Sequence, residues 1–409
     1  MIVIFLEFVL KIVKKLNLVT YITSIAYWKK MCYNFARMKI GIDTFGSDHA
    51  RSGLGSYLLY LTENVLDIED VEVEFFGADF DKFTYISGKD ISYKSILINN
   101  NINAERKWHK TSLKKFVTQQ KYDVVIFPAI EKVFPLCFKV PAIAVVNSIL
   151  FGDSDEKIPI GLRSKLKHSL KKVKKIISAS NYIREDLINN GIDECKIEVV
   201  YNGIDHKLFH PIIGLSSYIV DLKPFAIKRP YFVYGSRLAG PEKKHIELIK
   251  AFALFKEKTN LPHRLVIAGE GPYDSEIQKA IMESSVASDI FLTGYFPHKS
   301  FPMMYAGSEA CVFPSVNEGV GLPVLEAMAT GVPVLCSKSG ALPEIASDAA
   351  YYFDSDNIEE IATALERIVT DSELRADLTK KGIERAELFD WQVTVNKTFD
   401  IAKQILQSE

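Results

Sequence analysis

The sequence predicts two α/β domains, each a doubly wound parallel sheet covered by helices on both faces. Three observations lead there. The chain has 409 residues, more than a single hydrophobic core usually organises. From Met38 onward, short and nearly continuous apolar runs alternate with helical patterns, the signature of strands buried on both sides. The alternation stops after Asn202-Gly203 and restarts at Tyr231, and the stretch between holds Pro211, Gly214, Ser216, Ser217, Pro224 and Pro230.

Taken in order, the first series offers strands at 39–45, 71–77, 123–129, 142–148, 175–180 and 197–203, with helical patterns such as 56–66 and 164–173 between them. Residues 211–230 read as a linker, because proline and glycine punctuate them and no period survives. The second series offers strands at 231–237, 264–269, 290–294, 310–315 and 333–337, each ending at or beside Gly, Ser or Pro. The boundaries are therefore 38–210 for the first domain and 231–388 for the second. Two doubly wound sheets face each other across a cleft in this reading.

Composition narrows the function classes. Net charge is -1, which leaves no globally basic surface for nucleic acid. Cys32, Cys137, Cys195, Cys311 and Cys336 are scattered and form no C-x-x-C, as expected of reduced core thiols in a cytoplasmic protein. The histidines show no ligand spacing, so no metal cofactor is expected. Residues 1–37 carry five Lys and one Arg against one Glu, and Phe5, Phe8, Val9, Ile12, Val13 and Leu16 share a helical face. Two readings fit: an interfacial helix, or an extension preceding a start at Met38. The longest uncharged run there, 16–28, is shorter than the ~20 residues a spanning helix needs.

The chemical signals cluster at strand ends of the second domain, where doubly wound sheets bind ligands. Arg237 and Lys243 flank a Gly-Pro turn at the head of a helix, and two cations at a helix N-terminus suit an anion. The stretch "EGVGLPVLEAMATGVPV" then sets Glu318 eight positions before Glu326. Gly319, Gly321 and Pro323 bring the backbone close to a ligand and start a helix. Eight helical residues span ~12 Å, which suits the distance from a ribose to a sugar beyond its diphosphate. Carboxylates accept paired hydroxyls well. Glu326 sits among Val324, Leu325, Ala327, Met328 and Ala329, which argues against a plain surface position.

On these residues the chain resembles the retaining glycosyltransferases of family 4, whose fold is the two-domain GT-B arrangement. "FPSVNEGVGLPVLEAMATGVPV" resembles the family's E-x7-E signature, and "GSRLAGPEKKHIELIKAF" its Arg…Lys segment. "VIAGEGP" and "FLTGYFP" resemble its next two strand ends, and "ISASNYIREDLINNGIDECKIEVVYNGID" the close of its first domain. "FDWQ" resembles the start of a terminal helix, 389–409, that crosses back to the first domain. The resemblance implies that Arg237 and Lys243 hold a donor diphosphate and that Glu326 accepts ribose hydroxyls. It implies that Glu318 meets the donor sugar, with backbone N–H groups of Gly319, Val320, Gly321 and Leu322 alongside. Gly269, Gly294 and Tyr295 line the nucleotide, and Gly53 and Gly55 approach the diphosphate from the first domain. One departure is visible: Asn147 and Ser148 stand where the family often has His-Asp, and two readings fit Asn147, a sugar-facing hydrogen-bonding group or a plain turn residue. The implied partners are a nucleotide-diphosphate sugar and a glycan or lipid-linked acceptor.

Other readings compete. "GLGSYL" at 53–58 lacks the third glycine of a dinucleotide fingerprint. Asp153-Ser154-Asp155 and Asp354-Ser355-Asp356 mimic a metal-binding Asp-x-Asp, but such triplets are common in polar turns. A protein that binds nucleotide sugars without transferring them is a further alternative. Arg163, Lys165, Lys167, Lys171, Lys172, Lys174 and Lys175 lie opposite Leu162, Leu166, Leu170 and Val173, either a solvated helix face or a surface for anionic membrane.

Overall fold

The computed structural model describes residues 38–47, 53–65, 68, 70–86, 88–99, 101–152, 160–212, 219–222 and 225–407. The N-terminal extension, Cys32 and the first Asp-x-Asp triplet lie outside them. The first sheet holds β1 (Met38–Asp43), β2 (Val71–Ala78), β3 (Ser92–Ile96), β4 (Val124–Phe127), β5 (Ala142–Val146), β6 (Lys175–Ser178) and β7 (Ile197–Val199). Its order is β3-β2-β1-β4-β5-β6-β7, parallel throughout. The linker region holds an antiparallel hairpin, β8 (Ile219–Leu222) and β9 (Phe225–Lys228). The second sheet holds β10 (Tyr231–Gly235), β11 (Arg264–Ala268), β12 (Ile290–Leu292), β13 (Ala310–Phe313), β14 (Val334–Ser337) and β15 (Ala350–Phe353). It is also parallel, in the order β12-β11-β10-β13-β14-β15.

Both sheets reverse their strand order beside the first strand, between β1 and β4 and between β10 and β13. Those switch points open a crevice at the carboxyl ends of the strands. Central strands are buried on both faces, β5 and β10 along their whole length, and this is why their sequences are unbroken apolar runs.

The chain crosses between the domains twice. After the second sheet, the helix Trp391–Gln407 returns to the first domain and buries Trp391, Val395, Phe399, Ala402 and Ile405 in the core beneath β1 and β4. The indole of Trp391 stacks on Tyr60 at 4.7 Å, and Tyr57 and Thr398 share a hydrogen bond of 3.1 Å. Burying each large apolar side chain contributes roughly 1.5–3 kcal/mol, so this helix is part of the first domain's core.

Several expectations need correction. The predicted linker contains the β8–β9 hairpin, whose Val220 and Ile227 pack on the second core. Strands β3 and β15 were not predicted, because both lie at sheet edges and carry polar or half-buried residues rather than an apolar run. Of the four described cysteines, Cys311 and Cys336 are buried, but Cys137 and Cys195 are exposed. The basic helix, Ile160–Lys172, uses Leu166 and Leu170 to fill the first core, so its apolar side is covered by its own domain. No helix among the described residues is long and apolar enough to cross a membrane.

Candidate active site

The loop after β13 carries Glu318, and local sequence explains its path. Asn317 and Gly321 both take left-handed backbone angles, φ 58° and 70°, and bracket a short reversal. Asn tolerates that region and Gly enters it freely. Gly321 then precedes the helix Leu322–Ala329, with Pro323 in its first turn, where a missing N–H costs nothing. Against this loop packs Gly340, whose missing Cβ would lie only 2.5 Å from the backbone oxygen of Glu318. The next residue, Ala341, donates its N–H to that oxygen at 2.7 Å.

Lys243, in the turn Pro241–Lys243 after β10, extends its ammonium to the Glu318 carboxylate at 2.9 Å. Ser315 donates to the same oxygen at 3.2 Å. The two sequence-predicted groups are therefore brought together, in a half-buried pair at the switch point. Arg237 is exposed two residues beyond β10. Gly269 and Gly294 meet at the ends of β11 and β12, where the Gly269 N–H donates to the Gly294 carbonyl at 2.9 Å. Tyr295 is exposed beside them. The second Asp-x-Asp triplet is a turn: Asp354 accepts the N–H of Asp356, and Asp356 pairs with Lys244.

Glu326 lies on the helix after Glu318, in a cleft pocket lined by Ser56, Tyr60, Asp205, His298, Leu322 and Trp391, among others. Both domains contribute to that pocket. Ser56 follows Gly53 and Gly55, which form the first turn of the helix Gly53–Asn64. His298 Nε2 donates to Glu326 Oε1 at 2.8 Å, and its ring packs on Phe209 with centroids 5.1 Å apart. Burial works against a charged imidazole, but the Glu326 hydrogen bond and charge, with Asp205 nearby, outweigh it and raise its pKa. Sequence reasoning missed His298, since nothing in its surroundings announces a partner far along the chain.

Asn147 directly follows β5 and is nearly buried. It accepts a hydrogen bond from Asn202 Nδ2 at 3.1 Å. Among the described residues this leaves Asn147 Nδ2 and Asn202 Oδ1 buried without partners. Turning both amides over leaves the same balance, one donor and one acceptor. A single hydroxyl satisfies both, since it donates once and accepts as well. Asn202 was visible in the sequence only as part of the segment closing the first domain.

Beneath the turn that follows β1 lies a second polar cluster with a different character. His109 pairs with Asp43 at 2.6 Å, while Asp43 and Glu105 accept the N–H groups of Phe45 and Gly46. Asp81 is buried beside them, and desolvation, reinforced by Glu105 and Asp43 and opposed by a hydrogen bond from Thr44, pushes its carboxyl up to about 7. These groups hold the turn from below and do not line the Glu326 pocket.

Two doubly wound sheets, a crevice between them and this set of groups define a GT-B glycosyltransferase architecture. Residues 222–385 match Glycosyl transferases group 1, and residues 51–208 match Glycosyltransferase Family 4. Between them the matches span most of the chain, which belongs to the GT-B glycosyltransferases. The O-antigen chain mannosyltransferase B of Escherichia coli is 30% identical over 164 residues, 40% of this chain and 43% of that protein. The chain spans about half the length of the curated relatives it matches. Among solved structures, sucrose-phosphate synthase from Thermosynechococcus elongatus shares the fold with TM-score 0.70 and 18% identity, over 91% of this chain and all of that one. Anabaena HepE in complex with UDP-glucose gives TM-score 0.69 and 19% identity, over 90% of this chain and 100% of that one.

Proposed function

We propose that the chain transfers a hexosyl group from a nucleotide-diphosphate sugar to a glycan or lipid-linked acceptor, with retention of anomeric configuration. The observation that carries this reading is the order of groups along one loop and helix. Glu318 with Lys243 stands at the switch point, and Glu326 with His298 stands in the adjoining pocket. That order matches a donor laid out as sugar, diphosphate and ribose. Glu326 accepts the ribose hydroxyls. Lys243 and Arg237 neutralise charge on the departing diphosphate, with backbone N–H groups of Gly319 to Leu322 alongside. Glu318 accepts sugar hydroxyls, and the open donor and acceptor of Asn147 and Asn202 take one more. The glycines at 53 and 55 close on the diphosphate from the first domain.

In the proposed step the acceptor hydroxyl oxygen bonds to the anomeric carbon as its bond to the phosphate oxygen breaks. The acceptor's proton passes to that phosphate oxygen on the same face, and a nucleoside diphosphate leaves. Protein cations carry the charge in this scheme, so transfer proceeds with chelator present. The O-antigen relative supports synthesis of an envelope polysaccharide or glycolipid. The exposed lysines 165, 171, 172 and 174 support an anionic membrane surface as a partner, held by charge alone because the apolar side of their helix is buried.

The test is a thermal-shift panel of UDP-, GDP-, ADP- and dTDP-sugars, followed by the anomeric configuration of the product. One donor should raise Tm in the parent chain and fail to do so in Glu326→Ala, whose lost charge-assisted hydrogen bonds weaken affinity about tenfold or more. An inverted product overturns retention. Binding without transfer or hydrolysis overturns catalysis and leaves a nucleotide-sugar-binding protein.

A further inference from the structure

The side chain of Glu318 and its two chain neighbours are held by different domains. Its carboxylate is fixed from its own domain by Lys243 and Ser315. Its backbone neighbours are held from the other. The helix Asn181–Asn189 follows β6 and points its N-terminus across the cleft. Ser180, the cap of that helix, is fully buried, and its hydroxyl donates to the Gly319 carbonyl at 2.6 Å while accepting the Ile183 N–H. Tyr182 donates its phenol to the Asn317 side chain at 2.9 Å. Thus the residues immediately before and after Glu318 are each tied to one helix end. The Ile183 side chain closes the contact, 3.3 Å from where a Gly319 Cβ would stand, and Val320 packs on the first domain's core.

The helix end is itself anchored. Glu344 of the second domain accepts the N–H groups of Asn181 at 2.8 Å and Tyr182 at 3.3 Å, two of the donors a helix start leaves open. The same carboxylate accepts the Asn181 amide and the Tyr201 phenol. Arg385 secures the Glu344 and Ile345 carbonyls behind it.

We propose that the first domain completes the catalytic loop, with Ser180 and Tyr182 acting as positioning residues that set the backbone of Glu318 when the domains meet. This rests on the role proposed above for Glu318. Parting the domains breaks the Ser180 and Tyr182 bonds together. The Lys243–Glu318 and His298–Glu326 contacts lie within one domain and survive. Transfer then depends on the grip far more than nucleotide binding does, because the Glu326 end of the site stays assembled.

The experiment compares the full chain with Tyr182→Phe, Asn317→Gly, the double variant, Ser180→Ala and Ser180→Thr. Glycine at 317 accepts the left-handed backbone angle without strain, so that variant removes the acceptor and leaves the turn. The readouts are kcat for nucleoside diphosphate release from whichever sugar the thermal-shift panel selects, its dissociation constant, and hydrogen exchange at 317–321. Tyr182→Phe and Asn317→Gly should each lower kcat by about tenfold to a hundredfold, with the dissociation constant changed less than about twofold, consistent with a loss confined to the transfer step. The double variant should be no worse than either single one. Ser180→Ala should behave likewise, and Ser180→Thr should recover most of the loss. Exchange at 317–321 should quicken in Tyr182→Phe while β13 stays unchanged.

Unchanged kcat with unchanged loop exchange overturns the proposal, as does a parallel loss of affinity and kcat. If the parent chain turns over none of the sugars, the glycosyl-transfer reading fails, and loop exchange alone then decides for or against the grip.

Discussion

The two sheets share a strand order and differ in where they put their charge. In the second domain the ionisable groups beyond β10, β12 and β13 line the cleft, with Lys243 against Glu318 and His298 against Glu326. In the first domain the groups beyond β1 turn inward, and Asp43, Asp81, Glu105 and His109 are nearly or fully buried under a turn. The same topology therefore builds a charged cleft face in one domain and a buried polar platform in the other. Charge that faces a crevice is available to a ligand. Charge sealed below a loop is spent on holding that loop in place.

The sharpest way to break this contrast is at Glu318. Glu318→Gln keeps the size of the side chain and removes the charge opposite Lys243, and should lower the transfer rate by about 10²–10³. The Tm shift given by the nucleotide should persist, which a differential scanning measurement checks. Equal loss of both would mean that Glu318 serves binding rather than transfer.

A smaller effect sharpens the other side. The Asp81 carboxyl has a folded pKa of about 7 against its ordinary 3.8. A raised acid binds more protons folded than unfolded between those values, so stability is full below about 4 and declines as pH rises through about 7. The local bonds agree. Thr44 Oγ1 lies near the Phe76 carbonyl, the Asp81 carboxylate and the Tyr93 hydroxyl, with one proton to share. Asp81→Asn should raise Tm by several degrees at pH 8 and little at pH 5, with kcat unchanged. A loss of transfer would tie Asp81 to the charged cleft face after all.

The smallest expected effect is at His298. Its pKa is raised, so the stabilising pair with Glu326 is complete below about 6.5 and fades as pH rises through the folded value. His298→Gln should lower Tm slightly at pH 6 and not at pH 9. The half-exposed imidazole keeps this small.

Legibility in the sequence followed burial and distance. Central strands were readable because both faces are apolar, while β3, with its mostly exposed Ser-Tyr-Lys-Ser-Ile, was not. Glu318 and Glu326 were readable because their spacing is local. Lys243 was readable as a cation, but its pairing with Glu318 was not, and His298 was missed, because both reach the glutamates from other loops through space. Asn147 was found by position, but its open amide emerged only with Asn202 beside it. Ser180 lay inside the segment read as the close of the first domain, and its bond to a carbonyl 139 residues away has no trace in the linear order.

The returning helix Trp391–Gln407 sets a timetable for synthesis. The first domain's strands leave the ribosome long before the residues that seal their core, Trp391 to Ile405. Until then the apolar surface around Tyr57, Tyr60 and Leu61 waits uncovered while the second domain is made. A nascent chain stalled or cut short before residue 391 exposes that surface, so the first half is finished only once residues 391–405 are made.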